Sequence, residues 1–372
     1  MNSISIIGAG IGGLTLGNVL KQHQVDFKIY ESAPEIKPVG SGIMMAMNAM
    51  QVFDTLGLRE KIENAGNKIR RISITDQSLR PISVTNGEAV EKKFNLSNVA
   101  IHRAELQKVL AEHLGFENIQ LSHGLQKIEK KENYSLHFEN GTELESEIVF
   151  GADGIKSKIR SQILKTGTVL NTGQVCWRGL VDYDLPEKYH HEALEIWGKG
   201  KRFGFVKMTA TKVYWYAVIN QKNFKPDINL LSAFGEFNSI VLDLIQATDP
   251  KDIILNDITY LSPIPKWYSD HLCLIGDAAH ATTPNMGQGA CQAIEDAYII
   301  GKLLEKDRDY HTIFENFQKI RRKKVDYVVS TSHKVGKISM WEYGTEFRNF
   351  LFRLVPDRFN QKMIEKLIQL EM

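Results

Sequence analysis

Few stretches restrict a chain as much as residues 3–31 do here. Ser3 to Ile7 is short and rich in β-branched residues, as a buried parallel strand should be. Gly8-Ala9-Gly10-Ile11-Gly12-Gly13 follows at once, with the GxGxxG spacing on Gly8, Gly10 and Gly13. Leu14 to His23 then has helical composition, and Val25 to Tyr30 reads as a second strand ending in Glu31, 18 positions beyond Gly13. Gly8 permits the tight turn, Gly10 removes a side chain where a pyrophosphate must approach, and Gly13 lets the helix pack closely on the strand. The helix N-terminus offers free N–H groups and a favourable dipole to a diphosphate. Glu31 is placed to accept hydrogen bonds from a ribose. A glycine turn alone is common and could be purely structural, but strand, helix and acid agree on a dinucleotide site. This unit does not separate FAD from NAD.

Two distant segments add to it. In Ile148 to Arg160 a buried strand ends in Asp153-Gly154, and a helix is expected to begin with Ser157 and Arg160 on it. Asp153 equally suits a type I turn with an N-capped helix, and the residues alone do not choose. The second segment runs Leu272-Cys273-Leu274-Ile275-Gly276-Asp277-Ala278-Ala279-His280 and continues through Pro284, Gly287, Gln288, Gly289, Ala290 and Asp296. A strand feeds Gly276-Asp277, and a glycine-bearing turn then opens a helix.

Together these motifs resemble the class A aromatic-hydroxylase family of flavoprotein monooxygenases, and the resemblance runs along nearly the whole chain. It implies FAD as the tightly bound cofactor. Asp277 would hold hydroxyls of the ribityl chain, while Asp153 and Gly154 would lie near the pyrophosphate. Backbone N–H groups of the turn from Pro284 to Gly289 and Ala290 would stabilise the electron-rich edge of reduced flavin. Gly40-Ser41-Gly42-Ile43 resembles the segment passing beneath the flavin, giving Ser41 and Gly42. His102-Arg103-Ala104-Glu105-Leu106 resembles the helix opening from which Arg103 reaches the cofactor. A surface salt bridge with Glu105 is the plainer alternative for Arg103. Many relatives carry Arg or Lys after the ribose-binding acid; this chain has Ser32, so adenosine contacts are expected to differ.

The motifs are scattered, so the fold class expected is α/β with a discontinuous Rossmann-like FAD-binding domain at 1–70, 101–170 and 265–330. Residues 71–100 and 171–264 alternate apolar and polar: Ile72, Ile74, Ile82, Val84, then Val175-Cys176-Trp177, Leu194 to Trp197, Phe203 to Val206 and Val213 to Ile219. Period-two patterning with aromatic and β-branched residues predicts an inserted, mostly antiparallel sheet that covers the flavin and walls a substrate pocket. A helical stretch near Asn229 to Gln246 belongs to that insertion. Residues 331–372 are expected to form a C-terminal helical segment. Phe347 to Leu370 mixes apolar and basic residues; it could touch a membrane surface, but packing on the protein's own core is the simpler expectation.

Lys plus Arg total 46 against 44 Asp plus Glu, a formal net charge of +2, which leaves no electrostatic footprint for nucleic acid. The run Arg321-Arg322-Lys323-Lys324 reads as a solvated helix face. Cys176, Cys273 and Cys291 show no ligand-like spacing, so reduced thiols in a cytoplasmic protein are expected, with no metal site. No window approaches the ~18 uncharged apolar residues of a membrane span. The partners expected are a small molecule and O2, in a monomer or homodimer.

No side chain is expected to act as a conventional acid or base; His280 reads as a structural hydrogen-bonder in the flavin loop. The resemblance implies that NADPH or NADH docks transiently to reduce FAD, that O2 gives a C4a-hydroperoxyflavin, and that its terminal oxygen passes to an aromatic or heteroaromatic carbon. The stretches Gly200 to Phe203, Lys212 to Tyr216 and Trp177 to Leu180 resemble the salicylate- and urate-hydroxylase-like branch, which makes Arg202 and Tyr214 the candidate substrate contacts. An ordinary strand with Arg202 facing solvent fits the pattern as well. An epoxidase or reductase on the same fold, a NAD-dependent dehydrogenase and a non-turning flavin binder are the alternatives. A halogenase is disfavoured, since its Trp-x-Trp-x-Ile-Pro signature is not found.

Overall fold

The computed structural model describes residues 3–36 and 41–371. Its first sheet is built from apolar runs far apart in the chain. Strands Ile4–Ile7, Ile148–Gly151 and Leu272–Leu274 lie side by side in parallel, and every residue of the three is buried. Burial on both faces is what lets such strands be continuously apolar. Lys28–Tyr30 and Ile119–Gln120 extend the sheet on one side, and Tyr268–Ser269 adds an antiparallel edge on the other. Helix Ile11–Gln22 packs between this sheet and helices Arg103–Leu114 and Gly289–Leu304.

The second large sheet has seven strands in the order 254–261, 169–182, 212–220, 201–207, 192–197, 71–76, 81–86. All neighbours are antiparallel except Glu192–Trp197 with Arg71–Asp76. One face carries Phe203, Phe205, Trp215 and Val175, which form a core with Val241 and Leu244 of helix Ser239–Ala247. Phe203 stacks on Trp215 at 5.4 Å, and the Trp215 indole N–H donates to Thr248 Oγ1 at 2.8 Å, so the ring's only polar atom is satisfied in the core. The register places Glu195, Arg202, Gly204, Tyr214 and Tyr216 on the opposite face. The residues after Asn86 leave this sheet. Helix Glu88–Phe94 leads into strand Asn98–His102, which pairs with Gly42–Met45 and Asn67–Ile69.

The C-terminal region differs from expectation in two ways. A 30-residue helix, Tyr310–Ser339, runs through the anticipated boundary at 330–331. It is started by Asp309, whose carboxylate accepts from the Thr312 amide at 3.0 Å. Helix Thr345–Arg353 is then turned inside out. Thr345, Arg348 and Asn349 are buried, while Phe347, Phe350, Leu351 and the following Leu354 are exposed. Arg348 lies over the Trp197 ring at 5.0 Å and donates to the Ser339 carbonyl at 2.9 Å. Hence this stripe of the segment does not pack on the protein's own core.

The basic run also departs from a solvated face. Arg321 is fully buried and Lys324 nearly so, because both point at acids on helix Gly289–Leu304. Arg321 Nε donates to Asp296 at 2.9 Å and Lys324 Nζ to Glu295 at 2.8 Å. Arg322 lies over the Trp267 ring at 4.6 Å. Among the described residues no helix is long and apolar enough to cross a membrane.

Candidate cofactor and substrate site

The glycine turn is built by close approach. A Cβ on Gly8 would lie 2.5 Å from the Ala152 carbonyl oxygen, and one on Gly13 would collide with the Gly8 carbonyl. A Cβ on Gly10 would meet nothing within 4 Å among the described residues. Packing therefore forces glycine at Gly8 and Gly13, while Gly10 borders open space beside the helix N-terminus. Glu31 braces the turn: one carboxylate oxygen accepts from the Ala9 amide at 2.7 Å, the other from Ala33 N and Ser32 Oγ at 2.9 Å each. Ser32 thus spends its hydroxyl on Glu31. Gln107, which the sequence pattern did not single out, ties the turn to helix Arg103–Leu114 by donating to the Ala9 carbonyl at 2.8 Å.

The two distant motifs converge on this turn. Ala152 and Asp153 follow strand Ile148–Gly151 directly against Gly8. Asp153 Oδ2 accepts from the Ile159 amide at 3.2 Å, but Oδ1 is buried with no partner among the described residues. Burial pushes this carboxyl above the ordinary value, against the hydrogen bonds from Ser157 and Ile159. The expected helix beyond Gly154 is present but short, covering 158–164, with a π-type turn at Arg160–Leu164. Arg160 points inward and donates to the carbonyls of Ala278 at 2.8 Å and Ile155 at 2.6 Å. It thereby locks the Asp153 loop to the Asp277 loop.

Asp277 opens a four-residue helical turn. Its side chain is solvent-reachable yet recessed among protein atoms, and that enclosure raises its carboxyl above the ordinary value, opposed by His280 and Arg103. The preceding Gly276 amide donates to Asp296 at 2.9 Å, and His280 Nε2 lies 2.7 Å from the same carboxylate oxygen. Burial works against ionisation of Asp296, but His280 and Arg321 outweigh it and hold its carboxyl at about 2. His280 is thus a structural partner of Asp296. Pro284 starts the turn Pro284–Met286, Gly287 follows in the left-handed region at φ 62°, and Gly289 and Ala290 begin the 16-residue helix.

The remaining expected residues close the ring. The Arg103 amide donates to the Ser41 carbonyl at 3.2 Å. Gly42 lies against Tyr214, where a Cβ would sit 2.5 Å from the ring. The Tyr214 hydroxyl faces Ser41 and Arg178, and burial raises its pKa. Gly40 lies outside the described residues. Arg202 is buried rather than solvent-facing and donates to Asn285 Oδ1 in the turn Pro284–Met286. Sequence reasoning missed Gln107, Glu195, Gly204 and Asn285. Only Asn285 carried a signal, by its place inside the Pro284–Gly289 turn.

These residues fit FAD. The bare backbone at Gly10, the buried Asp153 oxygen without a partner among the described residues and the solvent-reachable Asp277 stand on motifs tied together by the Gly8–Ala152 contact and by Arg160, with N–H groups at the openings of helices Ile11–Gln22 and Gly289–Leu304.

Such a cradle, assembled from separated segments and roofed by a sheet, defines a flavin-dependent oxidoreductase. The chain belongs to the FAD binding domain family, which matches residues 1–309. It is 33% identical to the aurachin C monooxygenase/isomerase of Stigmatella aurantiaca over 91% of this chain and 90% of that protein. It is 29% identical to the 2-heptyl-3-hydroxy-4(1H)-quinolone synthase of Pseudomonas aeruginosa, covering 98% and 97%. The crystal structure of Klebsiella pneumoniae HpxO with FAD and uric acid superposes with a TM-score of 0.89 at 25% identity, covering 99% and 96%. The chain is accordingly an FAD-dependent monooxygenase of the aromatic-hydroxylase class, with a reduced nicotinamide nucleotide as electron source.

Proposed function

We propose that this enzyme hydroxylates a bicyclic heteroaromatic ring of the 4-quinolone type, held between the seven-stranded sheet and the flavin. One observation carries the reading: neighbouring strands of that sheet reach the cofactor cradle at two separate points. Arg202 bonds Asn285 in the turn before helix Gly289–Leu304, and Tyr214 packs on Gly42. A flat ring placed between them lies against the cofactor, with Tyr214 and Tyr216 as aromatic wall. The relative named for a 3-hydroxy-4-quinolone product supports the ring system.

When bound, FAD supplies the reduction by NADPH or NADH and the activation of O2. The chain's own residues bind and orient. Gly8, Gly10, Gly13 and Glu31 would hold the adenosine diphosphate half, and Asp153, Gly154, Asp277 and Arg103 the pyrophosphate and ribityl region. Ser41, Gly42, Pro284, Gly287, Gly289 and Ala290 would frame the ring. The sheet's role is to exclude water, which would otherwise divert reducing power into hydrogen peroxide. A single chain supplies all these groups, so the reading holds for a monomer or a homodimer. Its need for NADPH or NADH and its three unpaired cysteines support a cytoplasmic setting.

The test is aerobic NADPH and NADH oxidation by FAD-loaded enzyme with 4-quinolones, purines, phenols and aromatic acids, hydrogen peroxide being measured alongside. Oxidation accelerated by a 2-alkyl-4-quinolone, with little peroxide and a product heavier by one oxygen atom, is the expected result. Acceleration by urate or an aromatic acid alone would overturn the ring assignment. No acceleration by any compound would favour an externally reduced enzyme or a non-turning flavin binder.

A further inference from the structure

Arg202 looks like an anion-binding residue, but its surroundings cancel its charge. Arg202 is 1% exposed. Its Nη1 lies 3.6 Å from Glu195 Oε1, and Nη2 donates to Asn285. Glu195 is held in place from two further sides: the Trp197 indole N–H donates to Oε1 at 2.5 Å and the Tyr216 hydroxyl to Oε2. Tyr216 reaches it by lying across Gly204, directly paired with both residues in the register, and a Cβ at Gly204 would collide with the Tyr216 ring. Three adjacent strands are thus fitted around one carboxylate. Arg202 Nε is buried with no partner among the described residues.

From this arrangement we infer that Glu195 is a specificity-determining residue, selecting neutral ring substrates and rejecting aromatic carboxylates. The inference rests on the proposed ring site and deepens it. An arginine with a free charge would attract a carboxylate bidentately. Paired with Glu195, it offers no net charge, while a carboxylate brought alongside would face Glu195 as a like charge that desolvation makes more costly. Glu195, whose side chain is 18% exposed against 2% for Arg202, is the member of the pair that an incoming ring meets.

The experiment measures binding to the FAD-loaded enzyme by perturbation of the flavin absorbance, apart from turnover. Two matched pairs are compared, salicylamide with salicylate and 4-quinolone with 4-quinolone-2-carboxylate. The wild type is expected to prefer the neutral member of each pair. Glu195→Gln, which keeps the shape and the acceptor for Trp197 while its NH2 can donate to the Tyr216 oxygen, is expected to shift the carboxylate-to-neutral affinity ratio on the order of 10- to 100-fold toward the carboxylate. Adding Arg202→Gln to that variant should abolish the shift, since the freed charge is then gone. Equal or tighter carboxylate binding by the wild type overturns the inference, and this arm needs no variant to fold. An unchanged ratio in a folded, FAD-loaded Glu195→Gln overturns it too, as does the absence of binding by both members of both pairs. Preference for salicylamide with no quinolone turnover would sink the quinolone assignment and leave the Glu195 selector standing.

Discussion

The backbone amide of Gly276 donates to the carboxylate of Asp296, 20 residues further along the chain, at 2.9 Å. The same carboxylate meets His280 and Arg321, so one buried acid fixes the loop that presents Asp277. Replacing Asp296 by Asn removes one of the two close buried counter-charges of Arg321, which keeps Glu295 at 2.8 Å. The expected loss is about 1–3 kcal/mol, measured by denaturant unfolding of the cofactor-free protein.

The same acid sets an acid limit on stability. Its folded carboxyl sits at about 2, below the ordinary value of 3.8, so its contribution is complete above the unfolded value. It is lost as pH falls through the interval between those two values. The stability difference between wild type and Asp296→Asn should therefore be flat above about pH 5 and narrow below pH 4. A difference that stays constant down to pH 2 would show the carboxylate is not held ionised.

Gly10 and Gly13 separate cofactor binding from folding. Gly13→Ala drives a methyl into the Gly8 carbonyl, so folded yield should collapse. Gly10 has φ −69° and open space around its missing side chain, so Gly10→Ala should keep the wild-type melting temperature without FAD. FAD affinity should nonetheless fall by roughly tenfold or more, because the methyl occupies the pyrophosphate's approach. Unaltered affinity would remove Gly10 from the cradle.

Asp277 predicts a trade between stability and function. Its folded carboxyl is raised by enclosure, so ionisation costs stability increasingly as pH rises through its ordinary range, and the cost is complete above the raised value. Because the side chain is solvent-exposed, that cost is small, and Asp277→Asn should melt at or slightly above wild type in cofactor-free protein at pH 8. It should also bind FAD roughly 10- to 100-fold more weakly if the carboxylate accepts ribityl hydroxyls. Calorimetric scans and flavin fluorescence titrations test the two halves independently.

Helix Thr345–Arg353 reverses the usual ranking of substitutions. Changing Phe347 and Phe350 to Ser should alter unfolding free energy by only about 0.5 kcal/mol, since both are already in water. Changing Arg348 to Ala should cost about 2 kcal/mol or more through the lost carbonyl bonds and the contact with Trp197.

The sequence spoke clearly where a residue's task is local. Gly8, Gly13 and the strands around them follow from short spacings, because a turn and a buried strand are decided within a few residues. Asp277 was legible through the long ordered motif containing it. Arg321 and Lys324 were misread because their partners, Asp296 and Glu295, are more than 20 positions away, and a basic run carries no mark of what it faces. Glu195, Gly204 and Tyr216 escaped notice for the same reason. Their relation exists only across three strands whose register is a property of the assembled sheet. The inverted helix at 345–353 defeats pattern reading altogether, since amphipathicity shows that a helix has two faces but not which one turns inward.

The wide spacing of the cradle's parts also governs when it can exist. During synthesis the glycine turn leaves the ribosome first. Its neighbour Ala152 follows much later, and Asp277 with its Asp296 latch later still. At about 5–20 residues per second, the interval from Gly13 to Asp277 is roughly ten seconds to a minute. Through that time the apolar strand Ile4–Ile7 waits with its sheet incomplete, and the nascent chain has no finished surface for a flavin. Cofactor loading is therefore an event of the nearly complete chain, and flavin scarcity in a producing cell should be felt as misassembly of finished protein rather than as arrested translation.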